Sequence, residues 1–389
     1  MSERRAGPSP RWSGPLRDFD LEVYFSRWLP VARHHLTASD SETLTLSALL
    51  GLGDASDRRA WESLSLGYIN ARGTDRLRRA IAAGYSDLGA GDVLCFAGAQ
   101  EAIHTAMHTL LAPDDHAIVV TPNYQSMETI PKGLCAVSGV ALDPGQGWSL
   151  DIDSVAAAVR PQTRLIAINF PNNPTGKILE RERFQALVAL CERRGIWLFS
   201  DEVYRLIERD PAMRLPAAVD VSERGLSLGS LSKSFGLPGL RVGWIACRDR
   251  ALLERMGRVK HYLSICNAAP GELLAAIALE SADRILARNR RIAAENIGRL
   301  NHFFDAHREL FHWYVPDGGV VGYPRYTGAD GVEAFCARLI ERHGVLLLPA
   351  SVYRSDLAAT PVDRFRIGFG RSDLAAGLDA LRAGLEAGE

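Results

Sequence analysis

The sequence predicts an α/β protein, with a largely parallel sheet and crossover helices in its main part. The prediction rests on apolar runs of strand length at 116–121, 164–170, 196–200, 226–228 and 242–247, and on helical patterns such as 181–194 between them. Length adds a third observation. At 389 residues with 47% hydrophobic content, the chain exceeds one ordinary core, and two domains are expected.

Taken in order, Gly98-Ala99-Gln100 opens a helix whose apolar face is Ile103, Ala106, Met107, Leu110 and Leu111. Free N–H groups at such an end form an anion site without a charged side chain. The strand-like runs follow, and ligands of such sheets bind in loops beyond the strands' C-terminal ends. A long helical stretch at 270–307 leads into a second unit with a helix at 332–342 and strands at 345–348 and 365–369. Ser372-Asp373 is expected to cap a last helix, with Leu374, Leu378, Leu381 and Leu385 on one face.

The formal net charge of -1 and the lack of a basic stripe predict no nucleic-acid or membrane-surface partner. The six cysteines are scattered without Cys-x-x-Cys spacing and read as reduced, buried thiols. Residues 1–15 lack the apolar core of a signal peptide, and no run of 18 apolar residues occurs, so a cytoplasmic protein with a mobile leader is expected. His104 and His108 stand one helical turn apart, but no third ligand is recognisable and no metal is expected. Gly51-Leu-Gly53 lacks the third glycine of a dinucleotide loop, and no Gly-x-Ser-x-Gly elbow is present.

The chemistry concentrates in Gly229-Ser-Leu-Ser-Lys-Ser-Phe-Gly-Leu-Pro-Gly-Leu-Arg-Val-Gly243. Lys233 is one of only four lysines in a chain whose Lys and Arg together number 45. An amine that forms a Schiff base needs a close-packed, desolvated setting that lowers its pKa, and the small neighbours leave room for a planar cofactor. Ser230 and Arg241 supply a hydroxyl and a guanidinium fork suited to a phosphate. Asp201 ends an apolar strand, where a carboxylate is costly to bury without a cationic partner.

This segment resembles the pyridoxal-phosphate attachment signature of class I and II aminotransferases. Asn169-Phe-Pro-Asn-Asn-Pro-Thr-Gly176 and Ser200-Asp-Glu-Val-Tyr204 precede it in the order of that family, and the resemblance runs from about residue 20 to the C-terminus. It implies the type I pyridoxal-phosphate fold: a mobile leader at 1–19, a large cofactor-binding domain at 61–274, and a smaller, discontinuous α/β domain from 20–60 and 275–389.

The resemblance further implies pyridoxal 5'-phosphate attached to Lys233, with Lys233, Asp201 and Tyr204 catalytic. Asp201 would keep the pyridine nitrogen protonated, while Asn173 and Tyr204 would bond the phenolic oxygen. Gly98, Ala99, Gln100, Ser230 and Arg241 belong to the cofactor site, Tyr124 stacks on the ring, and Asn173-Pro174 is a cis peptide. Tyr68 would reach the phosphate of a partner subunit, which makes the protein a homodimer with shared sites. Arg366, with Asn173, would hold the substrate α-carboxylate.

The implied reaction moves an amino group between an α-amino acid and a 2-oxo acid. The alternative is a cyclase or β/γ-lyase acting on an amino acid, as in capreomycidine synthases, because this scaffold does not fix the reaction. A transcription regulator on the same scaffold would carry a DNA-binding region ahead of it, and with about 20 residues before the fold that reading is not expected. Ala350 departs from the glycine frequent in relatives, and no second cation for a dicarboxylate is recognisable.

Overall fold

Seven strands form the central sheet: β1 (Val93–Phe96), β2 (His116–Thr121), β3 (Ala136–Ala141), β4 (Thr163–Asn169), β5 (Trp197–Asp201), β6 (Gly225–Ser230) and β7 (Gly243–Ala246). The computed structural model describes residues 17–386; the first 16 residues, where most of the expected leader falls, lie outside them. The strand order is β1-β7-β6-β5-β4-β2-β3. Only β7 runs antiparallel, between β1 and β6, and the remaining pairs are parallel.

Helices cover both faces, so the inner strands are apolar on both sides. In β4, Leu165 and Ala167 join one buried cluster, while Ile166 and Ile168 join another with Phe184, Leu187 and Cys191 of the helix Arg181–Arg194. Two strands were not anticipated. β3 is an edge strand with one buried residue in six, so its apolar signal is weak, and β1 has only four residues.

The small sheet is antiparallel, with Phe365–Gly368 between Val321–Gly322 and Leu348–Pro349. Its link to the N-terminal part is direct. His34–His35 pairs in parallel with Val345–Leu346, and the Gly368 N–H donates to Leu36 O at 2.7 Å. A Cβ at Gly368 would lie 1.9 Å from Ala38 O, so only glycine allows this approach.

Two local expectations, the single helix at 270–307 and a leader reaching residue 19, are corrected, and Ser372 makes a contact the sequence does not suggest. The stretch 270–307 is two helices, Ala269–Glu280 and Ala282–Ala306, because Ser281 leaves helical geometry at φ -105° and ψ 20°. The Ser372 hydroxyl and N–H both donate to the Glu42 carboxylate, at 2.6 and 2.7 Å, so Ser372 ties the last helix to the N-terminal segment. Residues 17–19, expected within the leader, are seated: Asp18 O accepts from Gln125 Nε2 at 2.6 Å, and the Phe19 ring meets Tyr124 edge-on at 5.2 Å.

Helix α1 (Asp20–Trp28) follows. Its Asp20 N–H donates to Gln125 Oε1 at 2.9 Å, and its Tyr24 hydroxyl donates to Leu347 O at 2.9 Å. It therefore spans from the large sheet's loops to the small sheet's. Cys95, Cys191, Cys247 and Cys336 are buried, Cys135 and Cys266 are half-buried, and all six are unbridged. No helix among the described residues is long and apolar enough to cross a membrane.

Candidate active site

The strand ends converge as parallel topology requires. Asn169 and Asp201 are register partners at the ends of β4 and β5, and Ser230 closes β6. Beyond them lies a cavity of about 200 Å³ whose wall includes Ala99, Gln100, Tyr124, Asn173, Asp201, Tyr204, Ser230, Lys233, Arg241 and Arg366. A larger hollow of about 560 Å³ passes Tyr85, Arg205 and Trp244 but contains neither Lys233, Asp201 nor Arg366, so the chemistry belongs to the smaller cavity.

Lys233 faces this cavity, and its Nζ donates to Ser39 Oγ at 2.7 Å. Burial lowers its pKa to about 8; Arg366 adds to the effect, while Asp40 and Asp201 oppose it. Asp201 is 4% exposed. One N–H, from Val203 at 3.2 Å, reaches its Oδ1, and burial pushes its pKa up to about 7 against that bond and the Lys233 charge. Among the described residues no cation stands within ion-pair distance of it, so the site offers a buried acid in need of a positive partner.

Tyr204 is fully buried and donates to Ser39 O at 2.7 Å; burial raises its pKa, with Arg366 pulling the other way. The Asn173–Pro174 peptide is cis. Asn173 donates its N–H to Asn169 Oδ1 at 2.8 Å, and its Oδ1 accepts from Tyr353 at 2.9 Å and more weakly from Arg366 at 3.4 Å. Tyr124 lines the cavity beside Phe19.

Arg366 has no exposed surface. Its guanidinium donates to Thr37 Oγ1 at 3.1 Å, Thr37 O at 2.7 Å and Tyr353 Oη at 2.7 Å, yet no carboxylate pairs with it among the described residues. Its buried charge is met only by neutral acceptors, and a guanidinium fork in that setting has the chemistry to take a carboxylate. Arg364, two residues earlier, instead lies over the Trp148 ring at 4.8 Å.

The anion end is built on glycine. Gly98 has φ 94° and caps helix α2 (Ala99–Leu110), and a Cβ there would stand 2.5 Å from Arg241 Nη2. Another at Gly243 would stand 2.7 Å from Ala99 N. The two glycines therefore let the α2 amides and the Arg241 guanidinium close on one point. The Ser230 hydroxyl is already engaged with Ser232 Oγ at 2.9 Å and Val242 O at 3.2 Å. Gln100 Oε1 accepts from Ser126 at 3.0 Å. Tyr68 is 90% exposed and stands apart from its own chain's cavity.

Ser39, Thr37, Ser232 and Tyr353 were not singled out from the sequence. Thr37 and Ser39 sit in a small polar run that reads as a plain loop, and only pairing with the small sheet brings it to Lys233 and Arg366. His35 packs edge-on against Phe25 at 5.6 Å, outside the cavity wall. Among the described residues no group of three His, Cys, Asp or Glu could hold a metal ion.

The family model described as aminotransferase class I and II matches residues 55–380. The chain belongs to this family. The enzyme is 32% identical over 387 residues to capreomycidine synthase of Streptomyces vinaceus, covering 97% of this chain and 94% of that one. It is 33% identical over 302 residues to the arginine–pyruvate transaminase AruH of Pseudomonas aeruginosa, covering 74% of each. A PLP-dependent aminotransferase from Streptococcus suis superposes with TM-score 0.89 at 28% identity, covering 96% of this chain and 99% of that one. The PLP-dependent cyclase OrfR does so with TM-score 0.85 at 29% identity over 100% of both chains.

The enzyme's cofactor is pyridoxal 5'-phosphate, and the cavity fits it. A low-pKa lysine, a buried acid lacking a cation and a glycine-lined anion cradle match its carbonyl, its ring nitrogen and its phosphate.

Proposed function

We propose that this cavity moves an amino group from an α-amino acid to a 2-oxo acid, with Lys233, Asp201, Tyr204, Asn173, Arg241 and Arg366 in the roles the resemblance implies. The observation that carries the assignment is the presence, across one cavity, of a desolvated Lys233 amine and a buried Arg366 guanidinium that no carboxylate among the described residues pairs with. When bound, the cofactor supplies the electron sink that stabilises negative charge at the substrate α-carbon.

The chain's own groups do the rest. Arg366 and Asn173 hold the α-carboxylate and so orient the α-hydrogen toward Lys233. Nζ of Lys233, whose neutral form is far more populated near neutral pH than an ordinary lysine's because burial lowers its pKa to about 8, accepts that proton and returns it one atom away. Asp201 would hold the proton on the ring nitrogen; the Asn173 side-chain amide N–H groups would donate to the ring oxygen, and the Tyr204 hydroxyl would join them by exchanging its bond to Ser39 O. Burial of this set excludes bulk water from the proton's path. We assign 20–60 and 275–389 to a small domain around a large domain at 61–274, supported by the His34–Val345 pairing. We also assign a homodimer in which the exposed Tyr68 reaches the partner's phosphate site.

A single turnover tests the reaction. With one amino-acid donor and no oxo acid, an aminotransferase stops with the amino group on the cofactor and releases one equivalent of 2-oxo acid, and added oxo acid restores the starting spectrum. A second reading, cyclisation or elimination, is favoured by the end-to-end match to capreomycidine synthase and OrfR. That enzyme would return unaided to its starting spectrum over many turnovers, and this outcome would replace transamination with the second reading.

A further inference from the structure

Five charged side chains line the cavity: Glu22, Asp201, Lys233, Arg241 and Arg366. Four are occupied by the cofactor and the α-carboxylate in the reading above. Glu22 is left over. It stands in the first turn of α1, where the helix dipole favours an acid, but the dipole does not explain why its side chain faces the cavity. Among the described residues its carboxylate has no ion pair and no hydrogen bond. Its neighbour Asp20, by contrast, is paired with Arg17.

The surroundings of Glu22 are amphipathic. Leu21 and Phe25 of the same helix and Ile103 of α2 supply apolar wall, against which an aliphatic stem packs. Glu22 is close enough to Tyr124 that, after burial, its charge is the next cause of that hydroxyl's rise to about 12. No cation other than Lys233, Arg241 and Arg366 lines the cavity among the described residues, so nothing remains to hold a second substrate carboxylate.

We propose that Glu22 is a specificity-determining residue that selects α-amino acids whose side chain ends in a cation, a guanidinium or ammonium group on an aliphatic stem. The inference rests on the assignment of this cavity as the amino-acid site. Arg366 takes the α-carboxylate, the stem lies along Leu21 and Phe25, and the terminal cation meets Glu22 at the mouth. An acidic side chain is excluded by like charge and by the missing second cation.

The test compares L-arginine with its neutral isostere L-citrulline, and L-ornithine and L-lysine with L-methionine and L-glutamate. Two readouts are used on the cofactor-loaded protein: kcat/KM, and calorimetric binding to the Lys233→Ala form, which holds the amino acid without turnover. Glu22 is exposed at the mouth, so screening limits its effect, and an arginine preference over citrulline of about tenfold is expected, ~1.4 kcal/mol. Glu22→Gln should bring that ratio close to one in both readouts. A preference for arginine over ornithine and lysine would identify the guanidinium as the cation.

No preference for cationic donors, or a ratio unchanged in Glu22→Gln with folding intact by circular dichroism, overturns the proposal. Failure of the parent assignment looks different: if arginine binds selectively through Glu22 but is consumed without amination of the cofactor, transamination falls and the role of Glu22 stands.

Discussion

Lys233 donates a 2.7 Å hydrogen bond to the hydroxyl of Ser39, a residue 194 positions away in sequence. The carbonyl of the same serine accepts the Tyr204 hydroxyl at 2.7 Å. One residue of the N-terminal segment thus holds the amine and the phenol in a common place. The same segment supplies Asp40, whose charge opposes the lowering of the lysine's pKa by burial and Arg366.

The first prediction concerns that titration. The neutral amine is the nucleophile, so the rate at which cofactor-free protein captures pyridoxal phosphate covalently should rise with pH to a midpoint near the Lys233 pKa of about 8. After burial, Arg366 is the next cause lowering that pKa. Arg366→Leu should therefore move the midpoint upward, and stopped-flow absorbance across pH 6 to about 10 reads the shift. An unmoved midpoint in a folded variant would remove Arg366 from the lysine's electrostatics.

Asp201 gives a stability prediction with the opposite sign. Its folded pKa of about 7 exceeds its ordinary 3.8, so the folded protein retains a proton that the unfolded chain releases. The stability this contributes to cofactor-free protein is full below the ordinary value and is lost as pH rises through about 7. Cofactor-free Asp201→Asn has no such dependence, so its Tm should gain on wild type as pH increases through this window. Bound cofactor, with a cationic ring nitrogen, should flatten the wild-type curve. Parallel Tm curves for the two cofactor-free proteins would contradict the assignment.

Arg366→Lys should raise KM for the amino-acid donor and lower kcat/KM on the order of 10- to 100-fold, because an ammonium cannot form two parallel bonds to a carboxylate and keep Thr37 and Tyr353 bonded. Steady-state kinetics with a good donor checks this. A loss confined to kcat would point instead to a role in the proton transfer.

Tyr68 tests the shared site. If it serves the partner's cofactor, Tyr68→Arg and Lys233→Ala chains are each defective alone, but their hybrid dimer carries one site with both lesions and one with neither. Co-expressed, doubly tagged hybrids should recover about half of wild-type activity per dimer. Hybrids as inactive as their parents would place Tyr68 in its own chain's site.

The sequence by itself determined the parallel strands with their helices and the residue types of the chemistry. Those signals are local: strands buried on both faces are continuous apolar runs, and Lys233 stands in a segment whose small residues have little other reason to occur together. Asp201 was legible for the same reason, as a charge at the end of a strand that can have no water. Tertiary structure alone decided the rest. The polar run holding Thr37 and Ser39 has no pattern of its own, and it reaches the cavity because His34–His35 pairs with Val345–Leu346. Tyr353 looks like any core aromatic until the strand Phe365–Gly368 brings Arg366 to its hydroxyl. Glu22 reads as an ordinary first-turn acid until α1 is laid across the cavity by Gln125 and Leu347. Such partnerships are set by the closure of distant segments, and no local preference encodes them.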